Sequence, residues 1–252
     1  TKDPLPVAPK PVIEKQDQVK NKSKINTLTV EQAAELVADT GDLGQNPDLW
    51  LGVLTEINQD VARELAKLQG ERLDFKSLTT IDVGVAQELA KFAGEELDLN
   101  GLTTIDAGVA QELAKFQGEN LGLGGLTTID VGVAQALAKF QGDHLFLRLT
   151  AIDIEVAQEL AKFQRGVLQL DDLIRIDEFV AKELAKFEGD CLNLWDLKNI
   201  DEFVAKELAR SKANKLSLPS LRTINKYVAQ ELTALRCNTL YLNQIYSIDN
   251  DT

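Results

Sequence analysis

Few side chains of this sequence could act as a nucleophile or a base. Its only histidine is His144, and its only cysteines are Cys191 and Cys237. A thiol and an imidazole form a nucleophile–base pair only within hydrogen-bond reach. His144 and Cys191 precede the first leucine of similar segments that lie two segments apart. If such segments pair as strands, the two Cα atoms are about 10 Å apart, and the sequence predicts no catalytic dyad.

The two cysteines are also too far apart for a disulfide. Cys191 and Cys237 lie nearly two segments apart, which again predicts a Cα separation of about 10 Å. A disulfide needs a separation below about 7 Å. We therefore expect free thiols, which neither require nor exclude an oxidising compartment.

Aspartate recurs at one position of these segments, and a row of carboxylates could in principle bind a metal ion. Each aspartate precedes an apolar stripe with helical spacing, where its side chain can cap the first turn and complement the helix dipole. Capping explains the whole column, so we predict no metal site. The sequence also lacks a phosphate loop, C-x-x-C and H-E-x-x-H, so we predict no catalytic residue and no cofactor. The column consists of Asp82, Asp106, Asp130, Asp153, Asp177 and Asp201, with Asn58 and Asn225.

These side chains all belong to a repeated unit, which reads L-x-L-x-x-L-x-x-I-D-x-x-V-A-x-E-L-A-K-F-x-G. Its isoleucine recurs every 24 residues, except for one interval of 23 between Ile129 and Ile152. Repetition at this period indicates a solenoid, in which each unit packs against its neighbours only. The isoleucine column is Ile57, Ile81, Ile105, Ile129, Ile152, Ile176, Ile200, Ile224 and Ile248.

Each unit is predicted to form a strand, a turn and a helix. The L-x-L segment places two leucines on one side of a strand. The apolar stripe of one helix runs from Ile81 through Val85 and Leu89 to Phe92, and we expect Gly94 to end it. Because strands and helices alternate, the strands should lie parallel and the crossovers should be right-handed. Strands are spaced more closely than packed helices, so the sheet should line the concave side.

Over residues 49–249 this pattern resembles leucine-rich repeats, most closely the cysteine-containing subfamily and bacterial repeat proteins. The resemblance implies an α/β fold, a right-handed leucine-rich-repeat solenoid with a parallel sheet on the concave side and helices on the convex side. That family usually has Asn or Cys at the third conserved position, whose side chain bonds turn backbone groups. Leucine stands there in this chain, and we expect Thr80, Thr104 and Thr128 to take over part of that role.

The domain organisation follows from where the repeat begins. Residues 1–25 hold Pro4, Pro6, Pro9 and Pro11 among lysines and glutamines, which is typical of a disordered linker. Residues 26–47 are predicted to form an N-terminal capping helix and an insertion, and residues 48–252 the repeat array. The chain stops where a further helix would start, which favours a fragment of a longer protein over a bare terminal strand.

Charge and hydropathy restrict the class of partner and the location. The net charge is -13, which argues against nucleic acid because phosphate binding needs a basic face. No apolar run approaches the ~18 residues of a membrane span, so we expect no membrane insertion. The Pro/Lys segment favours an exported or surface protein of a bacterium, with a cytoplasmic protein as the alternative. We expect a monomer, although edge strands at the ends of the array would be open to pairing.

The residues between the strand leucines vary at nearly every unit, whereas the helix positions hardly vary. In such arrays these positions line the concave face, where binding occurs. Exposed aromatic and arginine side chains together resemble a binding hot spot. The alternative is scattered surface residues, with Phe146 or Trp195 covering a packing irregularity. We interpret Asp74, Glu96 and Asp98 as a solvated face. The candidate site consists of His144, Phe146 and Arg148 in the shortened unit and Asp171, Asn193 and Trp195 in the next two.

The sequence therefore predicts a non-catalytic module that binds a protein partner through the concave face. One alternative is a structural spacer or adhesin-like segment, for which a wholly polar concave face would be expected. Another is the repeat region of a larger secreted effector enzyme. The sequence does not identify the partner, because repeat folds serve many unrelated roles.

Overall fold

The structure is a computed structural model, and it describes residues 27–41, 49–243, 245 and 247–249. The linker predicted for residues 1–25 lies outside the described residues, and so does the part of the predicted insertion from residue 42 onwards. The domain boundaries at the N-terminus therefore stay a prediction.

Within the described residues, short strands and helices of about two or three turns alternate along the chain. The helices are α1 (Val30–Gly41), α2 (Gln59–Leu65), α3 (Val83–Leu89), α4 (Ala107–Leu113), α5 (Val131–Leu137), α6 (Ile154–Leu160), α7 (Glu178–Leu184), α8 (Glu202–Leu208) and α9 (Lys226–Leu232). The strands are β1 (Leu49–Trp50), β2 (Arg72–Asp74), β3 (Glu96–Asp98), β4 (Asn120–Leu123), β5 (His144–Leu147), β6 (Val167–Leu170), β7 (Cys191–Asn193), β8 (Lys215–Ser217), β9 (Thr223–Asn225), β10 (Thr239–Tyr241) and β11 (Ser247–Asp249).

Nine of these strands form one open parallel sheet in chain order, from β1 to β8 and then β10. The register keeps equivalent residues side by side, for example Leu97 beside Leu121 and Leu121 beside Leu145. The helices form the outer layer, so the expected right-handed solenoid with a concave sheet and convex helices is confirmed. A second ladder, in which β9 pairs with β11, was not expected from the sequence.

The aspartate column caps the helices as predicted. In α3 and α4 the cap residues Asp82 and Asp106 have extended backbones, and each accepts a hydrogen bond at 2.8 Å from the N–H three residues later. Asn58 and Asn225 make the same bond at the two ends of the array, at 2.9 and 2.8 Å. An Asx side chain at this position satisfies one free N–H of the first turn, which stabilises each helix by about 1 kcal/mol.

The leucines of each unit are buried between the two layers. Leu97, Leu99 and Leu102 of one unit have no exposed surface, and equivalent leucines continue the core along the array. The leucine at the third conserved position also belongs to this core. The turn backbone is bonded internally instead: Leu102 N–H donates to the carbonyl of Leu99 at 3.0 Å, and Leu126 N–H donates to that of Leu123 at 3.2 Å.

The threonine hypothesis is correct for the neighbouring column rather than for the predicted one. Hydroxyl bonds between successive turns are made by Thr103, which donates to the carbonyl of Thr79 at 3.4 Å, and by Thr150, which donates to that of Thr127 at 3.2 Å. The predicted Thr80, Thr104 and Thr128 stand one position later in the unit, and both columns are exposed. The expectation failed because Thr79 and Thr103 lie side by side in successive turns, where the Thr103 N–H also donates to the Thr79 carbonyl at 3.0 Å.

Five core phenylalanines, each of which comes shortly after a helix, form a stacked ladder. The rings are nearly parallel, with centroids 6.2 Å apart between Phe92 and Phe116 and 6.3 Å between Phe116 and Phe140. Offset stacking at this distance adds about 0.5–1.5 kcal/mol per pair to the burial of the rings. The whole ladder is Phe92, Phe116, Phe140, Phe163 and Phe187, all with 1% exposure or less.

A glycine stands two residues after every ladder phenylalanine except Phe163, and it does not end the helix, so that expectation is wrong. Helix α3 ends at Leu89, well before Gly94. A Cβ atom at Gly94 would lie 2.3 Å from Cζ of Phe92 and 2.4 Å from the carbonyl oxygen of Gly70. The glycine is therefore needed for ring packing. Where Ser211 replaces the phenylalanine, Ala213 replaces the glycine and is buried.

Helix α1 covers the N-terminal end of the core. Thr29 and Gln32 form the predicted capping box, because the Thr29 N–H donates to Oε1 of Gln32 at 3.0 Å and the Gln32 N–H donates to Oγ1 of Thr29 at 3.3 Å. Ala33 of α1 is fully buried in the shared core. No helix in the described part of the chain has the length and apolar character needed to cross a membrane.

Candidate interaction site on the concave face

A recess on the concave face originates where the repeat loses one residue. Leu147 pairs with Leu123, which is 24 positions earlier, whereas Leu149 follows Leu126 by only 23. The missing residue therefore lies in the turn after β5, where Arg148 alone separates the two leucines. This turn is too short for the bond that other units make, and in the next unit Asp172 adopts a left-handed backbone with φ 64°.

Glycines of the preceding unit form the other wall of the recess. A Cβ atom at Gly124 would lie 2.6 Å from Cε1 of Phe146 and 2.8 Å from Oδ1 of Asn100. The ring of Phe146 therefore lies against the bare backbone at Gly124, just after β4, and Phe146 is half-buried. Asn100 fixes this wall, since its Oδ1 accepts a hydrogen bond from the N–H of Gly124 at 2.5 Å.

The recess has a volume of about 400 Å³, within the range of binding pockets of small ligands or single side chains. Four of the six predicted site residues line it, namely Phe146, Arg148, Asp171 and Trp195. Trp195 is 48% exposed, so one large aromatic surface faces solvent there. The recess is also lined by Asn100, Gly124, Asp172 and Asp196.

His144 and Asn193, the other two predicted residues, do not line the recess. His144 lies near the start of β5, and its Nε2 is 2.9 Å from Oε1 of Gln169. Because an amide oxygen only accepts, Nε2 carries the proton in this contact. Gln169 in turn donates through Nε2 to Oδ2 of Asp171 at 2.9 Å. His144 therefore supports the recess indirectly, through Gln169.

Asp171 is the carboxylate with the least favourable surroundings in the recess. Its Oδ1 is buried and accepts no hydrogen bond in the described structure. Burial raises the pKa of the Asp171 carboxyl, the bond from Gln169 opposes that rise, and the charges of Asp196 and Asp172 add to it. Arg148 opposes the rise as well, with the smallest effect. Oδ1 of Asn193, on the next strand, is a second buried acceptor without a partner.

Arg148 forms an ion pair at the rim of the recess. Its Nη2 lies 3.1 Å from Oδ2 of Asp172, and both side chains keep a substantial exposed fraction. A solvent-exposed pair of this kind contributes at most about 1 kcal/mol. Asp172 also donates its backbone N–H to Oδ2 of Asp196 at 3.3 Å. The turn residues Asp172 and Asp196 thus contribute two carboxylates to the site.

Sequence reasoning missed Asn100, Asp172 and Asp196. It considered only the positions directly beside the strand leucines, whereas Asp172 and Asp196 stand one residue further on, in the turn. The signal for them was the missing residue after Arg148, because a shortened turn exposes the turn of the following unit. For Asn100 the signal was the pair of glycines in the next unit, Gly122 and Gly124, which have no side chain to cover the Asn100 amide.

A second charged cluster lies at the N-terminal end of the sheet, and its predicted solvation is wrong for Asp74 and Asp98, whereas Glu96 stays partly exposed. Asp74 is fully buried and Asp98 is 5% exposed. Nζ of Lys76 lies 3.0 Å from Oδ2 of Asp74 and 4.9 Å from the ring centroid of Trp50. Burial raises the pKa of the Asp98 carboxyl, while a hydrogen bond from the Asn100 backbone opposes the rise.

The cysteines and the acidic groups show no reactive arrangement. Both Cys191 and Cys237 are free thiols. Burial raises the pKa of the Cys191 thiol, with the nearby charge of Asp190 adding to the rise, so this sulfur is a poor nucleophile. Among the described residues, no group of three His, Cys, Asp or Glu side chains is placed to hold a metal ion.

Comparison with known proteins gives structural similarity only. No protein-family model and no curated protein matches the chain. A structure of the TLR13–ssRNA13 complex is 18% identical with a TM-score of 0.49, over 75% of this chain and 27% of that one. An internalin of Listeria monocytogenes is 17% identical with a TM-score of 0.28, over 77% and 74%. A leucine-rich repeat protein of Leptospira interrogans is 14% identical with a TM-score of 0.26, over 89% and 82%.

Proposed function

Because the chain is a leucine-rich repeat solenoid, we propose that it is a protein-binding module without catalytic activity, whose partner contacts the concave face. The observation that carries the proposal is the recess, where Phe146, Arg148 and Trp195 come together. Tryptophan and arginine are enriched in binding hot spots, which cluster near the centre of an interface. Strands β5 to β7, which present these residues, lie inside a sheet of nine strands.

The concave face is not wholly polar, and this favours binding over a purely structural role. Besides Trp195, it presents Trp50 and Tyr241, each 53% exposed, at opposite ends of the sheet. Scattered exposed apolar residues are normal on a protein surface. A tryptophan beside a recess differs from such scattered residues, because the recess can hold a side chain of a partner. The surrounding interface then excludes water from that side chain.

The test is to capture partners with the wild-type chain and to measure the affinity of each for a Phe146→Ala, Trp195→Ala double variant. Truncation of hot-spot aromatics costs about 2 kcal/mol or more, so we expect the affinity to fall at least about tenfold. The matched control is Phe179→Ala, Phe203→Ala, which removes two aromatics that are 55% and 54% exposed on the helix side. The control should bind as the wild type does, whereas equal binding by the concave double variant would refute the proposal.

A further inference from the structure

We propose that the recess binds the guanidinium group of an arginine side chain carried by the protein partner. This inference rests on the proposed function, and it specifies the chemistry of the same site. Three carboxylates line the recess, those of Asp171, Asp172 and Asp196, against the single guanidinium of Arg148. Arg148 is paired with Asp172, so the charges of Asp171 and Asp196 are left for a cation to balance.

The bonding of the Asp171 carboxylate also favours a cation in the recess. One oxygen of its carboxylate is bonded to Gln169, and the other is buried without a partner. The side chain is only partly buried, but an ionised carboxylate with one acceptor atom buried and unbonded is costly. A cation in the recess lowers that cost through space. The site is therefore electrostatically prepared for a positive group.

Two aromatic side chains of the recess favour a guanidinium group as well. Trp195, which is 48% exposed, and Phe146, whose ring lies against Gly124, both line the recess. A cation over an indole ring gains about 0.5–2 kcal/mol, depending on how far it is desolvated. The N-terminal cluster shows the same pairing within the chain, where Lys76 lies over the ring of Trp50 beside the carboxylate of Asp74.

Arginine fits this recess better than lysine or a metal ion does. The planar guanidinium stacks on an aromatic face while its N–H groups bond carboxylates in the same plane, and it is more weakly hydrated than an ammonium group. The recess offers both surfaces, the ring of Trp195 and the carboxylates of Asp171 and Asp196. No metal-binding group of side chains is present in the part of the chain that the structure describes.

The experiment follows the indole N–H signals of the chain by NMR during titration with the capped peptide Ac-Gly-Arg-Gly-NH2. The sequence contains only two tryptophans, Trp50 and Trp195, so Trp50 is an internal control, and a Trp50→Phe variant assigns the two signals. We expect a saturable shift of the Trp195 signal at millimolar peptide and no shift of the Trp50 signal. The peptide with citrulline, the neutral isostere of arginine, should have no effect.

A pair of charge variants tests the role of the carboxylates. Asp171→Asn, Asp196→Asn should weaken binding of the arginine peptide at least fivefold. The control, Glu119→Gln, Asp143→Asn, changes the net charge equally at exposed residues near the other end of the strands, and it should leave the affinity unchanged. The inference is overturned by an equal response to citrulline or to Ac-Gly-Lys-Gly-NH2, by equal shifts of both tryptophans, or by equal affinities of the two variants.

The same variants separate this inference from the proposed function. Suppose that a captured partner binds the Asp171→Asn, Asp196→Asn variant as well as the wild type but loses affinity for the Phe146→Ala, Trp195→Ala variant. This result would support the concave binding site and refute the binding of a guanidinium group there. Equal binding of the partner to all variants would refute the concave binding site itself.

Discussion

The phenylalanine ladder and the concave recess differ in how closely they follow the repeat. Along the ladder, Phe92, Phe116 and Phe140 stack at constant spacing, and a glycine two residues after each ring receives its edge. At the recess, a glycine-rich strand, a shortened turn and a left-handed Asp172 occur in successive units. Packing therefore keeps the ladder uniform, whereas departures from the repeat create the recess.

The largest effect is expected from Phe116→Ala, which interrupts the ladder. The ring is fully buried and stacks on Phe92 and Phe140. Removing a buried phenylalanine side chain costs about 3–5 kcal/mol, because the cavity collapses only in part. Urea unfolding monitored by circular dichroism measures the loss. Trp195→Ala, at an exposed position of the recess, is the counterpart and should cost less than about 1 kcal/mol; similar losses at the two positions would contradict the contrast.

A smaller effect is expected from Gly118→Ala, which tests the coupling between ring and glycine. The new Cβ would lie 2.3 Å from Cζ of Phe116 and 2.5 Å from the carbonyl oxygen of Gly94. Overpacking of this kind costs about 1–3 kcal/mol. In a Phe116→Ser background the ring is absent, so the same alanine should cost at least about 1 kcal/mol less. Additive losses in this double-mutant cycle would show that the Ser211 and Ala213 pair is coincidental.

The sequence was a better guide to the strands, helices and caps within each unit than to the contacts between units. Period, register and capping all follow from local rules, so the strands, helices and caps such as Asp82 were predicted at their positions. The failures involve contacts between units: Gly94 supports a ring rather than ending a helix, and Asp74 is buried rather than solvated. Spacing along one unit cannot show what the next unit covers.

The candidate site was predicted in the same uneven way. Phe146, Arg148, Asp171 and Trp195 line the recess, because the strand period alone determines which side chains face the concave side. Asp172 and Asp196 were missed, since their position depends on how the turn after β5 closes with one residue fewer. A one-residue deletion is visible in the sequence, but its effect on the backbone of the next unit is not.

Loss of a helix cap should destabilise the chain by an intermediate amount, because every unit of the array carries such a cap. Asp106→Ala leaves the N–H of Val109 without its 2.8 Å acceptor, and loss of an aspartate cap costs about 1 kcal/mol. Thermal unfolding measures the change, with Asp106→Asn as the control that keeps the acceptor and most of the stability. An unchanged melting temperature for the alanine variant would mean that the column has another role.

Gly124→Ala should change the recess more than the stability. Its Cβ would lie 2.6 Å from the edge of Phe146 and 2.8 Å from the amide of Asn100, and both are side chains that can move outward. We expect a loss of about 1 kcal/mol or less together with weaker binding of the captured partner, measured by calorimetry. A variant with wild-type affinity would show that the position of the Phe146 ring does not matter.

The smallest effect expected is a pH dependence at Asp171. Burial raises the pKa of this carboxyl, and the charges of Asp196 and Asp172 add to the rise, so the folded chain holds the proton more tightly than the unfolded chain does. The resulting stability is complete below the ordinary aspartate pKa, about 4, and is lost as the pH rises through the raised value.

Asp171→Asn keeps an acceptor for Gln169 without a titrating group. This variant should therefore gain stability relative to the wild type as the pH rises from about 3 to 7. The gain should be less than about 1 kcal/mol, because the side chain is partly exposed. Asp190, whose carboxyl pKa is lowered by its bond from Asn214, should show the opposite sign: Asp190→Asn should lose stability relative to the wild type over the same range. Unfolding curves at several pH values test both, and equal signs for the two variants would mean that the two carboxylates do not differ in the way their surroundings indicate.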